Sequence, residues 1–291
     1  MNKITEKNNK SSNKIDTLSI DEILRTINNE DAKIHQKIKV VIPEIRNLVE
    51  DVVTSFNNGG RLFYLGCGSS GRLGVLDAAE CPPTYSTPPS MIQGIIAGGN
   101  SALFESIENA EDSKDEAIDI INAKIQPNDV LIAISASGTA AYVIAALEQA
   151  KRIKAKTCLI TSNNLGKSRY IDHLIKLLVG PEIITGSTRM KAATATKMVL
   201  NMISTAAMIK INKTYGNLMV DLKISNNKLK DRAIRIIQEL TNLDYNLSKK
   251  LLKKANNNVK VSIIMHKKHI TYQKSLELLS KEQGNLRAVI G

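Results

Sequence analysis

Residues 61–73 read Arg61-Leu62-Phe63-Tyr64-Leu65-Gly66-Cys67-Gly68-Ser69-Ser70-Gly71-Arg72-Leu73. A short apolar run stops at a glycine-rich turn, and a helical segment follows. Four more short apolar runs come after it: Met91–Ala97, Val130–Ile134, Thr157–Thr161 and Ile175–Val179. Amphipathic or small-residue helical segments separate them. Strands alternating with helices predict an α/β fold, a parallel sheet sandwiched by helices. Ligands of such sheets sit at the carboxyl ends of the strands, so the residues just after each run carry the functional reading.

After Leu65, glycines let the backbone turn tightly and bring its N–H groups close to a ligand, while the next helix points its positive end at the same spot. The letters fit GxGxxG, but the dinucleotide fingerprint also wants an acid about 20 residues on, after the next strand. That run ends instead in Ala97-Gly98-Gly99-Asn100. Ser69 and Ser70 suit a phosphate or a sugar hydroxyl better. After Ile134 comes a second turn of the same kind, Ser135-Ala136-Ser137-Gly138-Thr139. Two hydroxyl-lined turns in one sheet form a cradle suited to a phosphorylated sugar, without the Lys of a P-loop.

After Val179 the sequence runs Gly180-Pro181-Glu182-Ile183-Ile184-Thr185-Gly186-Ser187-Thr188-Arg189-Met190-Lys191. Thr185 or Ser187 is the expected cap of a long helix from about 187 to 211. Arg189 and Lys191 then fall in its first turn, where the dipole disfavours cations, so they serve an anion or are plain surface charges.

Outside the sheet, residues 1–14 are polar, rich in Asn and Lys, and have no apolar stretch of the kind a secretory signal needs; they are expected to be a disordered tail. Ser19 with Glu22 reads as a capping box. A second helical stretch covers about 37–56, with Pro43 kinking it or resetting its start. After Gly216 the pattern is all helical. The expected division is an α/β domain with N-terminal helices over 15–224 and a small helical module over 225–291.

The 291 residues carry a net charge of +12, 43% hydrophobic residues and only 3% aromatics. From Asp221 to the end, 15 Lys and Arg face 6 Asp and Glu. Those lysines scatter over amphipathic helices without a nucleic-acid motif, so the field favours small anions over nucleic acid. The three cysteines have no CxxC spacing, which argues against a disulfide framework or a structural zinc and for a reducing, cytoplasmic setting. No apolar run is long enough for a membrane helix. His35, His173, His266 and His269 include no HExxH and none follows a strand end, so neither a metal site nor a Ser-His-Asp triad is expected.

The acids are more promising. Asp77-Ala78-Ala79-Glu80-Cys81-Pro82-Pro83 is expected to end the first helix of the sheet domain. A carboxylate there faces the negative end of the dipole, which disfavours its ionised form and suits a general acid. Glu105, Glu108, Glu111 and Asp112 form a second acidic stretch. Residue physics alone does not choose among them.

The stretch from Gly66 to Thr84 closely resembles the N-acetylmuramic acid 6-phosphate etherases. So do Ala110-Glu111-Asp112-Ser113, Thr185-Gly186-Ser187-Thr188-Arg189-Met190-Lys191-Ala192 and Gly216-Asn217-Leu218-Met219-Val220-Asp221. The resemblance runs from about Ile15 to the C-terminus. It implies a sugar isomerase (SIS) domain, a homodimer, no metal or organic cofactor, and cleavage of the ether joining D-lactate to C3 of the sugar. Glu80 would be the acid that protonates departing lactate and Glu111 the second acid/base residue. Ser69, Ser70, Arg72, Ser135, Ser137, Thr139, Ser187, Arg189 and Lys191 would contact substrate. Three places depart from the family pattern. Thr139-Ala140-Ala141 stand where an Arg and a Pro are usual, and Asn109 and Ala193 replace usual glycines. The rivals are a non-catalytic sugar-phosphate sensor, an aldose–ketose isomerase and a sugar-sensing transcription regulator. Both acids argue against the first. The Glu-Cys-Pro-Pro block is superfluous to the second. The third lacks room for a helix-turn-helix before the sheet.

Overall fold

The computed structural model describes residues 3–291. Its helices and strands follow in the order α1 (Ile20–Asp31), α2 (Ile34–Val40), α3 (Ile42–Asn57), β1 (Leu62–Gly66), α4 (Gly68–Tyr85), β2 (Ile92–Ile96), α5 (Lys114–Lys124), β3 (Val130–Ile134), α6 (Ala141–Arg152), β4 (Lys156–Thr161), β5 (His173–Lys176), α7 (Lys191–Lys210), α8 (Asn227–Thr241), α9 (Tyr245–Lys254), α10 (Val259–Lys268), α11 (Tyr272–Lys281) and α12 (Leu286–Ile290). Two compact units result. One holds the residues up to Ala79 with Ser90–Ser204; the other holds Glu80–Pro89 with Thr205–Gly291.

The first unit is built on a five-stranded, all-parallel sheet in the order β2-β1-β3-β4-β5. Every residue of β1 and β3 is buried, as a strand covered on both faces requires. Side chains alternate between the faces. Phe63, Leu65, Leu131 and Ala133 pack with Ala117 and Ile121 of α5 and Tyr142, Val143 and Leu147 of α6. The opposite face holds Tyr64, against which α4 is pressed so closely that a Cβ on Gly74 would lie 2.6 Å from the Tyr64 Cβ. There the Tyr64 hydroxyl donates to Asp77 Oδ2 (2.8 Å), and Asn201 Nδ2 and Ser204 Oγ donate to Asp77 Oδ1 at 2.6 and 3.2 Å. This polar knot ties α4 to α7.

Several expectations shift. Pro43 resets the helix: α3 starts at Ile42, with proline in the first turn, where its missing N–H costs nothing. β5 lies at 173–176 rather than 175–179, because it pairs from Cys158↔His173 to Thr161↔Lys176. α4 does not stop before its prolines: Pro82 and Pro83 lie inside it and it runs to Tyr85. Glu80 is therefore exposed within the helix, not at its end. α7 begins at Lys191, not near 187, and neither Thr185 nor Ser187 caps it. The buried Glu182 carboxylate does so from outside, accepting the Lys191 and Ala192 N–H groups at 3.0 and 2.9 Å. Burial pushes the Glu182 carboxyl up, against the pull of those two hydrogen bonds.

The expected disorder of the start does not hold for residues 3–14; Met1 and Asn2 lie outside the described residues. Two single 3-10 turns, Ile4–Glu6 and Lys10–Ser12, lie in this segment, and a third, Ile15–Thr17, follows it. The polar side chains that suggested disorder are what hold it. Asn9 Nδ2 donates to Glu30 Oε2 (2.9 Å) and Pro181 O (3.1 Å), Ser12 Oγ to Ile183 O (2.7 Å), and the Gly186 N–H to Thr5 O (3.1 Å).

In the second unit, α8 to α12 each carry a side-chain N-cap: Asn226, Asp244, Asn258, Thr271 and Asn285. Their apolar faces close over Ile234, Ile237, Leu252, Ile263 and Ile264. The expected helical module from 225 onward lies within this unit. No described helix is long and apolar enough to cross a membrane.

Candidate active site

The strand order fixes where a ligand can enter. From β1 the chain crosses to β2 on one side and then to β3 on the other, so a crevice opens beyond the carboxyl ends of β1 and β3. Gly66 and Ile134 are register partners there, and the two serine turns follow them directly. A cavity of about 440 Å³ occupies the spot, with Cys67, Ser70, Glu111, Ser135, Ser137 and Thr139 in its wall.

The first turn depends on close backbone packing. A Cβ on Gly71 would fall 2.5 Å from Gly66 O, so only glycine lets α4 begin there. In the second turn Gly138 has φ +70°, and its Cβ position is taken by Leu165 Cδ1 at 2.1 Å. The hydroxyls form a chain. Ser135 Oγ accepts the Gly138 N–H (3.0 Å) and lies 3.3 Å from Ser137 Oγ, which accepts the Thr139 N–H and hydroxyl at 3.2 Å each. α6 starts two residues later with no side-chain cap, so its free N–H groups open at the cavity wall beside Ala140.

Glu111 sits on a 3-10 turn, Ala110–Asp112, entered through Asn109 in the left-handed region at φ +59°. This accounts for one departure from the family pattern: asparagine is the residue that best replaces glycine there. Glu111 is exposed and borders both this cavity and a neighbouring one of about 340 Å³ lined by Arg72, Glu105, Glu108 and Asn109. Burial, reinforced by the charges of Glu111, Glu116 and Asp112, pushes the Cys67 thiol up to about 12. Cys67 is therefore a neutral wall and not a nucleophile.

The expected substrate contacts divide. Ser70, Ser135, Ser137 and Thr139 line the main cavity with Glu111. Arg72 lines the neighbouring one, but its guanidinium donates to the carbonyls of Ala102, Leu103 and Glu105 at 3.0, 3.1 and 2.8 Å, fixing that wall. Ser69 and Ser187 are half-buried and Arg189 is exposed; none of the three lines either cavity. Lys191 lines neither cavity: it is 1% exposed and its Nζ pairs with Glu30 Oε2 at 2.5 Å. Glu80 belongs to the second unit. Sequence reasoning missed Lys3, Thr5, Glu6 and Thr188, which line the main cavity, and the buried Asn163 behind it. Asn163 was within reach, since it follows β4 as the serine turns follow β1 and β3.

This is the site of a sugar isomerase domain. The SIS domain model matches residues 104–206, that of the glucokinase regulatory protein N-terminal SIS domain residues 44–151, and that of the C-terminal lid domain of glucokinase regulatory protein residues 216–282. A solved phosphoheptose isomerase from Francisella tularensis superposes with TM-score 0.52 at 17% identity, over 66% of this chain and 99% of that one, a likeness of fold. The sequence relatives are more specific. The N-acetylmuramic acid 6-phosphate etherase of Bacillus subtilis is 50% identical over 264 residues, 90% of this chain and 87% of its own length. N-acetylmuramic acid 6-phosphate etherase 1 of Bacillus licheniformis is 47% identical over 290 residues, 98% and 95% of the two chains. The chain belongs to the N-acetylmuramic acid 6-phosphate etherase family.

Proposed function

We propose that this protein cleaves the D-lactyl ether of N-acetylmuramic acid 6-phosphate, giving N-acetylglucosamine 6-phosphate and D-lactate. The observation that carries the reading is the convergence of Ser70, Ser135, Ser137, Thr139 and Glu111 on one cavity at the β1/β3 switch point. Hydroxyls and the open end of α6 suit a phosphate monoester, and a carboxylate beside them suits proton transfer.

The ring-opened aldehyde acidifies the C2 proton of the sugar. Glu111 removes it, the C3–O bond breaks, and Glu80 protonates the departing lactate oxygen, leaving a 2,3-unsaturated aldehyde. Water then adds at C3, with a proton returned to C2, and the sugar product forms. The reaction is that of a carbon–oxygen lyase followed by hydration, and each step needs a proton moved, which positioned carboxylates supply. The reading includes a homodimer in the cytoplasm, which a solution mass measurement checks for its oligomeric part.

The test is D-lactate release from N-acetylmuramic acid 6-phosphate by purified protein without added metal or nucleotide. Glu80→Gln and Glu111→Gln are each expected to lower kcat by roughly 10²–10⁴-fold, the usual worth of a positioned acid or base. Absence of lactate from the parent protein, with sugar phosphates still raising its melting temperature, replaces the etherase reading with a sensor.

A further inference from the structure

The wall of the main cavity is short of positive charge. Its described side chains include three acids, Glu6, Glu111 and Asp112, against one cation, Lys3. A phosphate monoester brings up to two negative charges into this space. Hydroxyls and backbone N–H groups orient such a group, but they do not offset the repulsion of three carboxylates. The cation in the wall therefore decides whether the phosphate is held.

Lys3 is placed by the chain, not by chance. Its Nζ donates to Thr139 Oγ1 at 3.0 Å, the outermost hydroxyl of the serine turn. Among the described residues it forms no ion pair with a carboxylate, so its charge is available. Two residues on, the Thr5 N–H donates to Asn163 Oδ1 (3.3 Å) and Asn163 Nδ2 donates back to Thr5 Oγ1 (3.1 Å). The same Nδ2 group reaches Ala136 O and Ser137 O at 3.2 and 3.3 Å, inside the serine turn. One buried amide thus joins the N-terminal segment to the cradle. Thr185 Oγ1 donates to Asn8 Oδ1 (3.1 Å), adding to the bonds of Asn9, Ser12 and Thr5 with residues 181–186.

We infer that the N-terminal segment, residues 3–12, is a strap of the active site, and that Lys3 is the cation that binds the substrate's phosphate beside Thr139. This rests on the proposed sugar-phosphate reading and extends it to a residue outside the sheet.

The experiment compares parent, Lys3→Met and Lys3→Arg in two assays. In lactate release, Lys3→Met is expected to raise KM for N-acetylmuramic acid 6-phosphate about tenfold or more with kcat within about twofold, because a lost charge-assisted bond to the phosphate is felt equally in ground and transition states. Lys3→Arg is expected to restore most of the affinity. In the second assay inorganic phosphate alone is titrated calorimetrically into each protein, and its binding is expected to weaken by the same factor in Lys3→Met. Unchanged KM and phosphate affinity in Lys3→Met overturn the inference, as does a parent that binds no phosphate. A loss confined to kcat overturns it too. If the parent releases no lactate, the etherase reading fails, while the phosphate titration still decides the role of Lys3.

Discussion

Lys191 Nζ lies 2.5 Å from Glu30 Oε2, and both side chains are almost fully withdrawn from water. The pair joins the end of α1 to the start of α7. Asn9 and Lys33 donate to the same carboxylate, so the N-terminal strap shares the knot. Burial alone would push the Glu30 carboxyl up. The hydrogen bonds from Lys191, Lys33 and Asn9 outweigh it and hold the group at about 2.

Removing one partner of such a pair leaves a buried charge without compensation. Lys191→Met is expected to cost about 3–5 kcal/mol in urea unfolding at pH 7, and Glu30→Gln with Lys191→Met together to cost less than Lys191→Met alone. The pH dependence has a definite sign. A carboxylate whose folded pKa is depressed stabilises fully above its unfolded value, near 4.3, and that contribution fades as pH falls from there through about 2. The parent should therefore lose more stability between pH 5 and 2 than Glu30→Gln does, an order that equilibrium denaturation at several pH values checks.

Asn109 opens the turn that carries Glu111. Its left-handed conformation is open to glycine, tolerable for asparagine and strained for a β-branched residue. Asn109→Gly should leave kcat within about twofold, whereas Asn109→Val should cost about 1–2 kcal/mol at the turn and lower kcat through misplacement of Glu111. Equal activity in the two variants would separate Glu111 from the geometry of its turn.

The sheet was legible because strands buried on both faces are written as uninterrupted apolar runs, and Leu62–Leu65 and Val130–Ile134 have no other use for that pattern. The serine turns were legible from their position after those runs. The strap was not. Composition gives Asn8, Asn9 and Ser12 the look of a solvated tail, and only tertiary partners at 181–186 show that their side chains bond to protein. Lys191 misled for a related reason. A cation at a helix start reads as an anion site when the buried Glu30, more than 150 positions away in the chain, is out of view. Family resemblance puts an Arg and a Pro where Thr139-Ala140-Ala141 stand, and the structure sets Lys3 against that threonine.

Cys67 offers a chemical check on the cavity wall. With its thiol pushed up to about 12, chiefly by burial and then by the charges of Glu111, Glu116 and Asp112, little thiolate exists at pH 8. Alkylation of Cys67 by iodoacetamide in the native protein should be slower than that of free cysteine by about a hundredfold or more. Mass spectrometry of a tryptic digest reads the rate residue by residue. Glu111→Gln removes one of the charges responsible and should quicken the reaction, a response that burial alone would not give.

The second unit has its own test in Lys260. Lys260 is 2% exposed, and its ammonium group donates to Asn212 O (2.7 Å), Gly284 O (2.8 Å) and Asp221 Oδ2 (2.6 Å). Burial lowers the lysine's pKa, and Asp221 pulls the other way. Three chain segments thus meet at one nitrogen, and Lys213 Nζ adds a looser contact to Asp221 at 3.5 Å. Lys260→Met keeps most of the length of the side chain but leaves two carbonyls without their donor and Asp221 with only the looser Lys213 contact. The expected loss is about 3–5 kcal/mol, the range for breaking a buried ion pair from one side. Because the cluster lies within residues 205–291, hydrogen exchange should quicken there first, in α10 and around Gly284, while the amides of β1 and β3 keep their protection. Uniform loss of protection along the chain would mean that the two units unfold as one.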